Sequence, residues 1–502
     1  LTLETFQLLS PELILLLTGI VVLCVDFIWR PDPEDSDVGN KTLWVPAIAL
    51  IGLGAALVAT LLLWWDAPAT SVLNMMTVDP FALFFKVIAV ITVMLVIVAA
   101  VPYLQDRTKY RGEFYALLVF AALAISLASS GIDLIALYLG MEFLSITSYV
   151  LAGYLRDDLK SNEAGIKYFL YGAVASAVML YGMSLLYGAT GTTQLTGIAQ
   201  MLMAGDQNIQ WLAVAAIVTL LAGFGFKIVL APFHQWAPDT YEGAPTPVTA
   251  FLSVGSKAAG FAIAMRVLLT ALAQFRYNIG WMAFLMALSI ISMLLGNLIA
   301  LRQTNIKRML AYSSIGQAGF IAIGFVCWTA ATQSYFKGIN GSLFYLLAYL
   351  FTNLAVFGVV IAFETATGST EIADYRGLVK RGPILAGVML VGLLSLAGIP
   401  GTGGFLGKFF VFGSAIQLEQ PQTLALAIVG IIASVISAFY YLNVVRQIFF
   451  EKADEDATPI NVPVGVAIAL IVSAAAVVVV GVYPQPFLEF ATDSIQMLGM
   501  VF

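Results

Sequence analysis

Five ionisable residues stand inside runs that are otherwise apolar enough for hydrocarbon. Lys227 is in GFGFKIVLAPFHQWAP (223–238), Lys257 in SVGSKAAGF (253–261), Lys408 in GIPGTGGFLGKFF (398–410), Lys167 in NEAGIKYFLYG (162–172) and Glu142 in LYLGMEFLSI (137–146). A lysine at the centre of a membrane helix costs about 2.5–3.5 kcal/mol on insertion scales, so it is a functional candidate by default. Lysine can release its proton when desolvated, whereas arginine stays charged. Glu142 therefore calls for a lysine partner, with Lys167 and Lys227 as the candidates. A Glu–Lys pair beside a second lysine forms a coupled titration, in which one proton's movement changes the affinity of its neighbour. The chemistry these residues suit is a proton relay. His234, the only histidine, could shuttle protons near neutral pH or cap a half-helix after the proline at Pro232.

The elements that must hold these residues are membrane helices. Of 502 residues, 61% are hydrophobic and 10% charged, and the mean hydropathy is +0.95; a soluble domain carries about 25% charged residues. Runs of about 20 apolar residues mark spans, and fourteen are expected, at 8–29, 43–65, 80–104, 113–130, 132–154, 163–188, 209–232, 245–271, 278–301, 308–328, 339–364, 384–417, 422–448 and 462–483. The first is long enough to span and no small-residue cleavage site follows it, so it reads as a membrane helix and not as a signal peptide. The tail PQPFLEFATDSIQMLGMVF (484–502) is expected to lie amphipathically on the surface. Trp64 and Trp65, near a span end, read as interfacial anchors.

Lysine and arginine are distributed unevenly among the connectors. Fifteen stand in connectors after odd-numbered spans, from Arg30 and Lys41 to Arg446 and Lys452, and only Arg276 and Lys337 stand after even-numbered ones. The positive-inside rule then puts both termini on the non-cytoplasmic, lumenal side. Six basic residues remain within spans. Lys86 and Arg266, near span ends, are expected to snorkel, while Lys227, Lys257 and Lys408 lie too deep to do so.

Lys227 and Lys408 each sit beside a Gly/Pro interruption, in the seventh and twelfth spans. Five spans separate them, an odd number that reverses direction across the membrane. Paired interrupted helices in two halves point to a transport site. The expected architecture is all-α and polytopic, with two inverted five-helix repeats (spans 4–8 and 9–13). The domain boundaries are 1–104, 105–272 (first repeat), 273–450 (second repeat) and 451–502.

Much is excluded. Cys24 and Cys327 are the only cysteines, which rules out a four-cysteine iron–sulfur cluster, and one histidine rules out bis-histidine haem. Both cysteines read as buried small hydrophobes. No dinucleotide fingerprint, P-loop or basic tract for nucleic acid is present. The chain carries no redox centre, metal site or cofactor site of its own. Moving one charge against 100 mV takes about 2.3 kcal/mol, so the drive must come from outside the chain.

LGMEFLSITSYVL, NEAGIKYFLYGAVAS, GFGFKIVLAPFHQWAPDTYEGAPTPVTAFLSVGSKAAGF and GIPGTGGFLGKFF resemble the antiporter-like subunits of respiratory complex I, most of all the branch called subunit N or subunit 2. Length, span count and ADYRGL (373–378) look most like its cyanobacterial and plastid form, subunit 2 of the NAD(P)H-quinone oxidoreductase. The resemblance implies a polar axis of Glu142, Lys227, Lys257 and Lys408, with Lys167 matching a further family lysine. It implies proton pumping driven by electron transfer to quinone in other subunits, which hold the iron–sulfur clusters and use NAD(P)H or ferredoxin. The photosynthetic branch implies plastoquinone and a thylakoid membrane. The implied partners are antiporter-like and small membrane subunits, and lipid. A free-standing cation/proton antiporter is the alternative, and a purely structural scaffold ranks last.

Overall fold

The computed structural model describes residues 3–29, 43–66, 70–204, 207–278, 280–328, 336–453 and 458–495. The connector 31–40 with Arg30 and Lys41, and residues 496–502 of the tail, lie outside the described residues. Thirteen helices are long and apolar enough to cross a membrane. In order they are α1 (Ser10–Trp29), α2 (Trp44–Asp66), α3 (Pro80–Leu104), α4 (Arg111–Ser130), α5 (Leu134–Ala152), α6 (Leu159–Thr190), α7a (Gln207–Ile228), α8 (Thr246–Ala271), α9 (Trp281–Ala300), α10 (Ile306–Val326), α11 (Ile339–Thr367), α13 (Pro421–Phe449) and α14 (Val464–Val482). The remaining expected span is split into α12a (Pro383–Ala397) and α12b (Gly403–Gln417), each 15 residues and too short alone. With it, the described residues hold fourteen crossings.

Burial sorts these helices. α8 is enclosed on every side, whereas only 22% of the α2 window is buried. A helix apolar all round belongs in a core or against lipid, and here α3, α4, α8, α10 and α11 form the inner set while α1, α2, α6 and α9 face outward.

Both expected breaks are present, built in different ways. α7a stops at Ile228, Val229 takes a left-handed φ of 69°, and a short helix α7b (Trp236–Gly243) follows. Such a backbone angle is unfavourable for a β-branched residue. Bonds from Val229 N to Phe226 O (3.2 Å) and from Leu230 N to Gly225 O (2.8 Å) hold it. Ala231 N donates to Ser292 Oγ of α9 at 2.8 Å. Gly225 is required here, because a Cβ would stand 2.6 Å from the Phe233 ring. α12a ends at Gly398 (φ 86°), whose N–H returns to Leu394 O and Ser395 O; Pro400 and Gly401 (φ 87°) then separate the halves. The freed groups are satisfied by protein, as irregular backbone at membrane depth requires.

Several expectations need correction. Lys86 and Arg266 do not snorkel. Both are buried and ion-paired, Lys86 with Glu12 at 2.6 Å and Arg266 with Asp79 at 2.5 Å. Their partners come from other elements, which no local reading of a span end could supply. Cys327 is buried, but Cys24 is exposed on the outer face of α1. α6 begins at Leu159, capped by the Asp158 carboxylate, so Lys167 sits two turns in. Pro232 lies beyond α7a, inside the break. A small hairpin of β1 (Thr70–Val72) and β2 (Met76–Val78) joins α2 to α3. A ten-residue apolar helix, Leu195–Ala204, precedes α7a. The tail helix Gln485–Ser494 buries Leu488, Ala491 and Ser494 and packs on α3 and α11. Within α8, π turns at Leu252–Ser256 and Val267–Ala271 flank an α segment, Lys257–Arg266.

Candidate functional site

Lys227, Lys257 and Lys408 are 1%, 0% and 4% exposed, and no described carboxylate lies within ion-pair distance of any of them. Lys227, on the last turn of α7a, donates to Ser145 Oγ of α5 at 3.1 Å. Gly260 of α8 lets that stem pass, since a Cβ there would stand 3.2 Å from Lys227 Cγ. Lys257, just after the first π turn, donates to Ser314 O (2.6 Å) and Ser314 Oγ (2.5 Å) of α10, with its Nζ 5.5 Å from the Tyr349 ring centroid. Lys408 reaches back from α12b to the open end of α12a. It donates to Leu396 O (2.9 Å), Ala397 O (3.0 Å) and Ser434 Oγ (2.8 Å). A cation at a helix C-terminus meets carbonyls left without intrahelical partners.

Polar side chains on α10 stand between the second and third lysines in two hydrogen-bonded groups. Tyr349 OH donates to Ser314 Oγ at 3.2 Å. The preceding residue, Ser313, is hydrogen-bonded to Tyr441 OH. Gln317, one turn on, donates to Tyr441 OH and to Leu396 O, both at 3.2 Å, and accepts from Tyr345 OH. Leu396 O is also an acceptor of Lys408. These hydroxyls and this amide went unnoticed in the sequence, although YSSIGQAG (312–319) was a visible polar run in an apolar span. Groups that can both give and accept a proton, arrayed between lysines without counter-ions, suit proton transfer.

Glu142 stands apart from this axis. Its carboxylate accepts from Ser176 Oγ of α6 and lies one turn from Ser145. It is half-buried, on a stripe of α5 with exposed Ile135, Leu139, Ile146 and Val150. At the other end, Lys408 lines a cavity of about 360 Å³ whose wall includes Phe409, Ile416, Ile431 and Val435, all exposed. Glu142 on one side and Lys408 on the other thus both lie beside the outer surface.

Lys167 does not pair with Glu142, contrary to expectation. It bonds Glu163 and Asp239, each at 2.6 Å. About two and a half turns before Ser176, it leaves the opposite face of α6 and turns towards α7b instead of α5. Asp239 also accepts from Arg308 at 2.7 Å, and Arg308 contacts Glu242 at 3.1 Å. Burial opposes the charge on Asp239, but hydrogen bonds from Lys167 and Arg308 outweigh it and hold its carboxyl below the ordinary carboxylate value. His234 lies in the α7 break, half-buried, and its buried Nδ1 has no hydrogen-bond partner among the described residues. Among those residues no group of histidine, cysteine and carboxylate side chains could hold a metal.

Comparison with known proteins gives consistent findings. Residues 131–437 match the model of the NADH:quinone oxidoreductase/Mrp antiporter transmembrane family. The chain is 39% identical to NADH-quinone oxidoreductase subunit N of Trichlorobacter lovleyi, over 98% of this chain and 97% of that one. It is 40% identical to NAD(P)H-quinone oxidoreductase subunit 2 of Microcystis aeruginosa, over 97% and 93%. In structure it is similar to a chain of respiratory complex I from Thermus thermophilus, with a TM-score of 0.77 and 30% identity over 95% of this chain and 98% of that one.

Proposed function

We propose a role for a chain that belongs to the NADH:quinone oxidoreductase/Mrp antiporter transmembrane family: it is a proton-translocating membrane subunit of a complex I-type NAD(P)H– or ferredoxin–quinone oxidoreductase. It works among other membrane subunits. Electron donor, iron–sulfur clusters and quinone belong to those and to further subunits, since two cysteines and one histidine cannot ligate a cluster. The observation that carries the reading is a set of three buried lysines with only hydroxyl and carbonyl acceptors, Ser314 at Lys257 and a Ser313–Tyr441–Gln317 group that shares the acceptor Leu396 O with Lys408.

In the proposed route a proton is taken up on the cytoplasmic side, where Lys167, Asp239 and Arg308 surround α7b and His234 stands at the break. It passes Lys227 and Lys257, then Ser314 and Gln317, and leaves by Lys408 on the lumenal side, where both termini would lie. Glu142 would respond to a neighbouring subunit and act on Lys227 through Ser145. Its half-exposed position on an outer stripe supports a partner there and weighs against the free-standing antiporter. Residues 105–272 and 273–450 would be the inverted units that carry the two breaks.

A narrower reading is a photosynthetic thylakoid complex reducing plastoquinone. It is supported by 40% identity to the cyanobacterial chain and matched by 39% to a bacterial subunit N; quinone analysis of the purified complex separates the two. The relay itself is tested with Lys227→Ala and Lys408→Ala in reconstituted complex. Proton pumping should be lost in each, and a wild-type proton-to-electron ratio in both would refute the route.

A further inference from the structure

Away from the lysine axis, a cavity of about 590 Å³ opens between the α3–α4 connector (residues 105–110) with the start of α4, and the α5–α6 connector (residues 154–157). Four cations line it, Arg107, Lys109, Arg111 and Arg156, against two carboxylates, Asp106 and Asp157. We propose that this cavity binds the headgroup of an anionic phospholipid of the cytoplasmic leaflet, with the acyl chains lying on the apolar helix ends beside it.

Two of the cations, Arg107 and Arg111, are tied to the protein, and two, Lys109 and Arg156, face the cavity without a carboxylate. Arg107 donates to Tyr103 O at 2.9 Å and lies 3.8 Å from Glu364. Arg111 donates to Thr108 O (3.2 Å) and Gln105 O (2.5 Å), which fixes the loop. Lys109 Nζ and Arg156 Cζ both stand 5.3 Å from the Tyr110 ring centroid. Two cations gathered at one ring repel each other unless an anion joins them. Among the described residues no carboxylate oxygen lies within 4.0 Å of Lys109, Arg111 or Arg156. The Tyr154 hydroxyl donates to Tyr110 O, which ties the two connectors together.

The surroundings favour lipid over a soluble anion. Val150, one turn before Tyr154, and Leu159, two residues after Asp157, are exposed. α1 ends beside the first turn of α4, where a Cβ on Gly112 would stand 2.3 Å from Asp26 Cγ. The α1 end presents Phe27 and Ile28 at 84% and 68% exposure. Tyrosines between an apolar surface and a cationic pocket mark the headgroup level. Basic pockets beside membrane helices suit anionic headgroups, each Lys or Arg contributing about 1 kcal/mol, or roughly fivefold in affinity. The leaflet follows from the orientation proposed above; the headgroup chemistry does not depend on it.

The test uses the intact complex in lipid nanodiscs, with a phosphatidylglycerol carrying a photoreactive headgroup. Crosslinks should map to residues 105–111 or 154–157 and be displaced by unlabelled phosphatidylglycerol but not by phosphatidylcholine. Lys109→Gln with Arg156→Gln should raise half-saturation roughly 30-fold, and Arg156→Lys should keep it within about fivefold. A control of equal charge loss, Arg302→Gln with Lys380→Gln, should leave it unchanged. The proposal fails if the control weakens crosslinking as much, which would mean general surface charge. It fails if inorganic phosphate at the same concentration displaces the probe, which would mean a free-anion site. It also fails if crosslinking is absent until Asp32, Glu34, Asp35 and Asp37 of the α1–α2 connector are neutralised.

Discussion

Replacing Gln317 by leucine removes the one amide that joins the α10 hydroxyls to the break in α12, with little change in volume. Gln317 is 1% exposed and donates at 3.2 Å to both Tyr441 OH and Leu396 O. A neutral hydrogen bond contributes about 0.5–1.5 kcal/mol net. If the proton crosses this link, losing both donated bonds raises the barrier by about 1–3 kcal/mol, a slowing of roughly 5- to 150-fold. Tyr345 OH also loses its acceptor, at about 1–3 kcal/mol of stability, so assembled complex must be quantified in parallel. In proteoliposomes, initial pumping per assembled complex should fall at least fivefold and the proton-to-electron ratio should drop. Gln317→Glu, which keeps polar atoms at the link, should fall less. Wild-type pumping by the leucine variant at equal assembly would refute a route through Gln317.

Other perturbations give sharper stability readouts. Arg266→Met strands Asp79 in the interior and should cost about 3–5 kcal/mol. Asp79→Leu also removes the α3 N-cap, in which Asp79 Oδ1 accepts from Ala82 N at 2.8 Å, adding about 1 kcal/mol. The double variant should recover most of the loss in thermal denaturation of the solubilised complex, and additivity within about 0.5 kcal/mol would deny the coupling. Gly260→Val would press on Ile228 Cγ1, 3.0 Å from a Cβ; an overpacking cost of about 1–3 kcal/mol should appear as reduced pumping, with Gly260→Ala milder. Asp239 has a native carboxyl below its unfolded value of about 3.9. Its contribution is therefore full above about pH 4 and lost as pH falls through the lowered native value. Asp239→Asn should flatten the acid limb of a heat-inactivation profile, and an unchanged limb would contradict this.

The deep lysines were legible because a charge in a 20-residue apolar run has few innocent explanations. The breaks were legible because proline and glycine punctuate helices, as Pro232, Pro400 and Gly401 do. Partners were not. Glu12 and Asp79 are remote in sequence from Lys86 and Arg266, and a span read alone offers only the interface as a refuge for charge. The Glu142–Lys167 pair failed on helix phase: Ser176, which reaches Glu142, follows Lys167 by about two and a half turns, so Lys167 leaves the opposite face of α6, towards Asp239. The π turns around Lys257–Arg266 involve no residue type that marks them, so periodicity across α8 could not reveal them. The hydroxyl chain lay in plain view at Ser313, Ser314 and Gln317, but single polar residues in membrane helices are common enough to pass as packing.

Glu142 on the outer stripe of α5 has a bearing on how the protein is made. A carboxylate at hydrocarbon depth is unfavourable by about 2.5–3.5 kcal/mol if charged, and Ser176 relieves only part of this. A newly inserted chain therefore carries an instability on that face which persists until a neighbour covers it. Orphan copies would then be less stable than assembled ones, through the residue proposed above to couple the chain to its neighbour.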